Sequence, residues 1–438
     1  MTAGPILIEG RNLAMREGTG IATYARNLVS TISGLGYSAD VLFDVDFPLS
    51  RQRAEWNEIK LYDQAGRPPQ RRGFRDGLKR LGELATAAPF GVAASEIAYS
   101  PAIIDAGLLP GLSGFEKRQA AERLFLRADR HLLRYGRRMP VRPLRPPSLF
   151  HATHPAAISV AGCANIYTIH DLVPLRLPHT TLDNKRVHLK VLRELVRSAD
   201  RIVTVSEHSR QDIVRFLGVD ESRVVNTYQA VSLPPSLTER SDEERRHELA
   251  AFGLEPQEYF LFLGAIEPKK NVDRLIDAYL SSGSQRPLVL VGKLGWGYET
   301  IVAKLERSRR YGVERPLAGQ KTIHLSYLPF HQVVSLLIGA RALLVPSLYE
   351  GFGLPALEAM LVGTPVLASN ASSLPEVVGE AGLLVDPVDP IAMAKAIRTL
   401  DEDGDLRAEL AKRGPLQAGL FSPERYAERV SALYGELT

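Results

Sequence analysis

The stretch Glu350-Gly351-Phe352-Gly353-Leu354-Pro355-Ala356-Leu357-Glu358 gathers acids, glycines and a proline directly after an apolar run that ends in Val345-Pro346-Ser347. Gly351 and Gly353 permit a tight turn and close backbone approach by a ligand. Pro355 suits the first turn of a following helix, where its missing N–H costs little. That helix N-terminus can face phosphate or sugar oxygens. The two acids would share a helical face only if both were helical, and the turn intervenes. One Glu can then approach a sugar and the other a more distant part of the ligand. The plain alternative is a capped surface helix with unpaired acids.

Three other segments could contribute. Gly264-Ala265-Ile266-Glu267-Pro268-Lys269-Lys270-Asn271 stands between a strand pattern and a helix pattern. A lysine there can neutralise a diphosphate, with helix N–H groups adding contacts; both lysines could equally be solvated helix-start residues. Gly18-Thr19-Gly20-Ile21 opens a helical pattern, lacks the full dinucleotide glycine spacing, and is by itself compatible with a simple turn. His170-Asp171 follows Ile166-Tyr167-Thr168-Ile169, at the carboxyl end of a strand, where open α/β sheets place their sites. A histidine that caps the strand and pairs with Asp171 is the competing account. Ser206 reads as an N-cap and receives no catalytic role. His151 and His154 make no zinc-protease motif, Asp171 and Asp183 no Asp-x-Asp pair, and Lys269-Lys270 follows no Walker A sequence.

These segments need a scaffold of alternating strands and helices. Ile6-Leu7-Ile8 reads as a buried strand, and Ile21, Tyr24, Ala25, Leu28, Val29 and Ile32 fall on one helical face. Strands follow at Ala39–Phe43, Leu149–Ala152, Asn165–Ile169 and Arg201–Val205, with helices over 181–198 and 207–217. Residues 45–145 are irregular, with helices near 116–134. The charged segment Thr238–His247 fits a linker or an exposed helix. A second series then places strands at Tyr259–Leu263, Leu288–Val291, Ile323–Leu325, Ala342–Val345 and Val366–Ala368, with helices between them. Right-handed crossovers make this a doubly wound sheet. The fold class is α/β, with two similar domains facing each other across a cleft.

The 438 residues suit two domains, and 45% apolar with 24% charged residues is an ordinary globular balance. The single Cys163 excludes an intrachain disulfide framework and cysteine-rich metal centres. The N-terminal residues do not resemble a signal peptide, and the best apolar run, Val333–Val345, is broken by Arg341. A net charge of +4 is too weak to indicate nucleic acid as a partner. Residues 51–150 hold 19 Lys/Arg against 10 Asp/Glu, and Arg71, Arg72, Arg75, Lys79 and Arg80 form the densest run. With the apolar candidates Phe74, Leu78, Phe90, Leu124 and Phe125, this region could make a weak, reversible contact with an anionic membrane surface. A solvated basic insertion explains the charge equally well.

The 350–358 stretch resembles the donor-binding motif of glycosyltransferase family 4, retaining nucleotide-sugar enzymes of GT-B fold. The resemblance extends over Gly264–Asn271, Gly292-Lys293, Arg341–Ala368 and Ser372–Pro387, and is poor across 45–145. It implies a GT-B architecture of two facing Rossmann-like domains. Residues 1–245 would bind the acceptor and 246–423 the donor, with a final helix at 424–438 packing back on the first domain. It implies a nucleotide-sugar substrate with no required cofactor or metal, and a cytoplasmic enzyme, peripheral at most. His170, Glu350 and Lys270 would carry the transfer; Gly18, Gly20, Lys269, Lys270, Phe352, Gly353, Leu354 and Glu358 would hold the donor. Glu350 would orient the sugar and Glu358 the ribose. Lys270 matches the family lysine, but Ala265 stands where the family often has Arg, so Lys269 is expected to supply part of that clamp. The Gly-x-Ile-Glu-Pro-x-Lys-Asn and His-Asp-Leu-x-Pro forms resemble bacterial polysaccharide mannosyltransferases, which implies GDP-mannose and a saccharide or lipid-linked saccharide acceptor. GDP-fucose or a UDP-hexose with a small acceptor is the alternative. A phosphorylase and a noncatalytic sugar-binding module stand further off.

Overall fold

A computed structural model describes residues 4–14, 20–66, 90–101, 103–104, 109, 114–310 and 322–438. Gly18, the basic run from Arg71 to Arg80, and Phe74 and Leu78 lie outside the described residues. The first strands are β1 (Ile6–Glu9), β2 (Ala39–Val45), β3 (Val92–Ala93), β4 (Ser95–Ile97), β5 (Lys117–Glu122) and β6 (Met139–Arg142). They are followed by β7 (Leu149–Ala152), β8 (Ile158–Val160), β9 (Ala164–Thr168), β10 (Arg201–Thr204) and β11 (Val224–Asn226). Eight of them form one sheet in the order β11-β10-β9-β7-β1-β2-β5-β4, parallel except for the β4 edge. β3, β6 and β8 form a small second layer.

The remaining strands are β12 (Phe260–Leu263), β13 (Leu288–Val291), β14 (Thr322–Leu325), β15 (Ala342–Val345), β16 (Val366–Ser369) and β17 (Leu383–Val385). They form an all-parallel sheet in the order β14-β13-β12-β15-β16-β17. Strands such as β1, β13 and β15 are apolar at nearly every position because helices cover both faces of a parallel sheet. In each sheet the strand order reverses in the middle, between β1 and β7 and between β12 and β15. Loops diverge to opposite faces at such a point and leave a crevice beyond the carboxyl ends.

The helix Gly20–Gly34 buries the face its spacing predicts, except Ile21, which is exposed in the first turn. The segment read as a linker or exposed helix contains the helix Asp242–Ala250, capped reciprocally by Ser241 and Glu244. Its one buried residue, Leu249, packs on Gly339 of the helix Phe330–Gly339. A boundary after 245 therefore falls inside a helix that is layered on the second sheet. Leu124, expected at an exposed membrane-facing position, is fully buried, and Phe125 is partly buried against the same core; Phe90 is exposed. Both begin the amphipathic helix Leu124–Tyr135, whose apolar side packs on the first sheet. Among the described residues no helix is long and apolar enough to cross a membrane.

The last helix, Pro423–Gly435, packs on Gly20–Gly34, with Tyr24 edge-on to Tyr426 and Tyr37 edge-on to Tyr434. Tyr434 Oη lies 2.7 Å from Nδ1 of the buried His151, whose Nε2 lies 2.9 Å from Thr168 Oγ1. Burial, with a smaller contribution from His170, pushes the His151 imidazole down to about 3. Unfolding therefore takes up a proton between pH 6.5 and about 3, so stability should fall as the pH drops through that window. The slope contributed is at most about 1.4 kcal/mol per pH unit. Tyr434→Phe, which strips one ring nitrogen of its partner, should cost about 1–3 kcal/mol in urea unfolding at pH 8.

Candidate functional site

The second sheet reverses between β12 and β15, and the two segments leaving those strands carry Lys270 and Glu350. After β12 the chain makes a short turn, Pro268–Lys270, ending in Asn271 with φ 59°. Asn271 Nδ2 donates to the carbonyls of Pro346 (3.0 Å) and Pro387 (2.7 Å), and Leu348 N donates to Lys269 O (2.8 Å). Those bonds clamp the lysine turn to the segments after β15 and β17. Lys270 Nζ meets Glu350 Oε1 at 2.6 Å, and Ser347 Oγ donates to the same oxygen at 2.6 Å. Both partners are largely buried. Burial favours the protonated acid, but Lys270, Lys269 and the Ser347 hydroxyl outweigh it and hold the Glu350 carboxyl below its ordinary range.

Lys269 lies 3.3 Å from Glu267. Burial works against its charge, yet Asp171, Glu350 and Glu267 together hold its ammonium above the usual lysine range. Asp171 belongs to the first sheet's side of the cleft, so Lys269 is electrostatically coupled across it. Ala265 is exposed and offers no charge.

Gly351 and Gly353 have separate uses. A Cβ on Gly351 would stand 2.9 Å from the His170 carbonyl and 3.2 Å from Asp171, so glycine lets the 350–353 turn lie against the His170-Asp171 loop. Gly353 has φ 119°, where a side chain is strained, and its Cβ would strike Leu374. Ser373 Oγ ties the turn by donating towards the carbonyls of Glu350 and Phe352. Leu354 starts the helix Leu354–Leu361 and lies close to Gly20, so two helix N-termini meet across the cleft. The Phe352 ring turns away into a buried cluster with Tyr228 and Phe421. Phe352 was expected to hold the donor; its apolar ring is instead spent on the core, and only its backbone faces the turn.

His170 and Asp171 do not form the strand-capping pair. His170 Nε2 donates to Thr153 O at 2.9 Å, leaving Nδ1 as the acceptor nitrogen, while Asp171 Oδ1 accepts from Val173 N. Burial lowers the His170 pKa, so the ring is neutral at pH 7. Glu358, on the helix after the turn, is partly buried and makes no hydrogen bond or ion pair among the described residues; burial alone pushes its carboxyl up to about 7. The segments that carry His170, Glu350, Lys269, Lys270, Gly20 and Leu354 thus come together, with Glu358 one helical turn beyond Leu354. Among the described residues no three His, Cys, Asp or Glu side chains converge on a metal position.

The seam also uses residues to which the sequence assigned no separate role. Glu376 accepts from the N–H groups of Glu207 (2.9 Å) and His208 (3.0 Å), capping the helix Glu207–Leu217 from the opposite half. Tyr349 Oη donates to Asp212 at 2.6 Å. Ser347, Ser372 and Asn271 fix the acid and the lysine turn.

Residues 244–417 match the family model Glycosyl transferases group 1, and residues 105–233 match Glycosyltransferase Family 4. The chain is 38% identical over 264 residues to O-antigen chain mannosyltransferase B of Escherichia coli, covering 59% of this chain and 67% of that protein. It is 31% identical over 260 residues to a serotype-specific mannosyltransferase of the same organism, covering 58% of this chain and only 31% of that one. Sucrose-phosphate synthase from Thermosynechococcus elongatus superposes with a TM-score of 0.65 at 19% identity, covering 99% of this chain and 98% of the other, which shows a shared fold.

Two outcomes are expected. Lys270→Ala should lower kcat/KM for a diphosphate-linked donor by about 100-fold or more, and more than Lys269→Ala, in initial-rate measurements on folded protein. Combining it with Glu350→Gln should cost less than the sum, because the two groups share one contact. Second, nucleoside diphosphate affinity, measured by titration calorimetry, should rise as the pH rises through about 7, since hydroxyl donors favour the ionised Glu358. Glu358→Gln should flatten that dependence and weaken binding about tenfold at pH 8, the value of a charge-assisted hydrogen bond of about 1.5 kcal/mol.

Proposed function

The chain belongs to glycosyltransferase family 4, with a GT-B fold, and from that premise we propose that it transfers mannose from GDP-mannose to a saccharide or lipid-linked saccharide with retention of configuration. The observation that carries this reading is the buried Lys270–Glu350 pair at the reversal point of the second sheet, with the His170-Asp171 loop lying against the glycine turn that follows Glu350. The resemblance of two curated relatives, both mannosyltransferases, supports the choice of sugar.

In the proposed reaction the bond from the anomeric carbon to the diphosphate breaks as a bond to the acceptor oxygen forms on the same face. The acceptor proton passes to the departing phosphate. Negative charge grows on that phosphate and positive charge on the sugar ring. Lys270, Lys269 and the N-terminus of the helix Leu354–Leu361 oppose the first. The carboxylate of Glu350 and the neutral His170 ring, with an acceptor nitrogen free at Nδ1, suit the second and the sugar hydroxyls. Glu358, with no hydrogen bond or ion pair among the described residues and its carboxyl pushed up to about 7 by burial, suits ribose hydroxyls. Ala265 removes one cation from the familiar clamp, and the raised pKa of Lys269 supports its taking up part of that charge.

Purified protein incubated with GDP-mannose, GDP-fucose and UDP-glucose, followed by NMR assignment of the product anomer, tests the reading. GDP-mannose should turn over fastest and the α-anomer should persist in the product. Faster turnover of a UDP-hexose would overturn the donor, and a β-product the retaining course.

A further inference from the structure

One hydrogen bond holds the ring of His170, Nε2 donating to Thr153 O at 2.9 Å. That bond fixes the tautomer but leaves the ring free to swing, because the outer torsion of a histidine is broad and roughly two-fold. A second contact closes this freedom. The Tyr24 ring stands at 89° to the imidazole, with ring centres 4.8 Å apart. Whatever holds Tyr24 therefore decides how His170 is presented.

Tyr24 lies in the helix Gly20–Gly34, and its hydroxyl is 2.9 Å from Thr168 Oγ1. Thr168 ends β9, two residues before His170, and Ile169 N continues the pairing by donating to Val203 O. Alternation along this extended chain turns the Thr168 and His170 side chains to one face, where Tyr24 meets both. Thr168 Oγ1 is also 2.9 Å from Nε2 of His151 on the adjacent strand β7. His151 Nδ1 in turn lies 2.7 Å from Tyr434 Oη on the last helix. Tyr24, Thr168, His151 and Tyr434 are each at most 1% exposed. A buried polar chain thus runs from the helix Pro423–Gly435 to the wall against which the His170 ring rests.

Burial keeps His151 neutral at pH 7, so one ring nitrogen donates and the other accepts. Whichever donates, Thr168 can donate to one neighbour while accepting from the other, and every link is satisfied. No hydrogen bond joins the chain to the His170 ring among the described residues, so it carries orientation and no proton. Stability alone does not call for such a chain. Apolar groups of the same shape in place of both partners of a buried hydrogen bond can leave stability nearly unchanged. What the polar chain adds is a fixed position for each member, since each is in reach of its neighbours at one place only.

We propose that Tyr24, Thr168, His151 and Tyr434 are positioning residues that lock the orientation of the His170 ring, so that the last helix governs turnover and not donor affinity. The use of that orientation in transfer rests on the glycosyltransferase reading, but the orientation itself can be measured without a donor.

Full-length protein carrying isotope-labelled histidine is studied by NMR, with the His170 ring signals assigned through His170→Asn. Thr168→Val keeps the side-chain volume and removes the hydroxyl shared by Tyr24 and His151; Thr168→Ser removes a methyl group and keeps that hydroxyl. The His170 signals should shift or broaden in Thr168→Val and keep their wild-type positions in Thr168→Ser. In initial-rate measurements Thr168→Val should lower kcat by about tenfold or more, with GDP affinity by calorimetry unchanged. Thr168→Ser should stay within about twofold of wild type in kcat. Tyr434→Phe should lower kcat in the same way, and its effect should not multiply with that of Thr168→Val, because both cut one chain. Tyr24→Phe cuts the link from the other side while keeping the ring, and gives the same outcome where Thr168→Val does not fold. A packing role alone reverses the ranking, since Ser leaves a cavity and Val fills it. Wild-type His170 signals in Thr168→Val and Tyr24→Phe, or a loss of kcat in Thr168→Ser as large as in Thr168→Val, overturns the proposal. No turnover of any donor by the wild-type protein would overturn the transfer reading, and the histidine signals would still decide this one.

Discussion

The contact between Lys270 and Glu350 is the constraint around which the second half is arranged. A buried ion pair is tolerated only when its geometry is good and its remaining valences are filled. Here Ser347 shares the carboxylate, Asn271 and Leu348 clamp the lysine turn, and Ser372 and Ser373 hold the backbone of the acid turn. The polar side chains around β12 and β15 are thus accounted for by the cost of removing two charges from water. The same cost places them at the open end of the sheet, where a charged ligand can reach them.

The two acids of the glycine turn differ through environment alone. Glu350 has a cation in contact and is held ionised; Glu358 has none among the described residues and is pushed up to about 7 by burial. One is electrostatically committed, the other available to hydroxyl donors. The first half repeats the contrast, with Glu9 fully partnered and Asp129 without a hydrogen bond among the described residues.

The halves meet through small groups rather than a broad apolar face at this end. Gly351 admits the His170 carbonyl, Glu376 caps a helix of the opposite half, and Tyr349 reaches Asp212. Behind the cleft, Tyr228, Phe352 and Phe421 continue the apolar core from one half into the other, and the final helix returns to the first. The polar contacts thus gather around the glycine turn, and the aromatic contacts around Phe352.

The period of apolar residues determined which segments became strands and helices, because burial on both faces of a parallel sheet leaves a local record. The glycine turn and the proline after it were legible for the same reason: their φ angles and missing atoms act within a few residues. The charged segment before β12 left a linker and an exposed helix both open, since nine residues with one buried leucine suit either until a neighbouring helix covers that leucine. What only the tertiary structure decided is pairing across distance. Lys270 and Glu350 are 80 positions apart, and Glu9 and His154 are 145 apart. Nothing local distinguishes Phe352, buried in an aromatic cluster, from a ring offered to a ligand. Nor does anything local distinguish the partly buried Asp129 from any surface acid. Coulomb energies and desolvation depend on what stands opposite in space, and the order of strands in the sheets sets that.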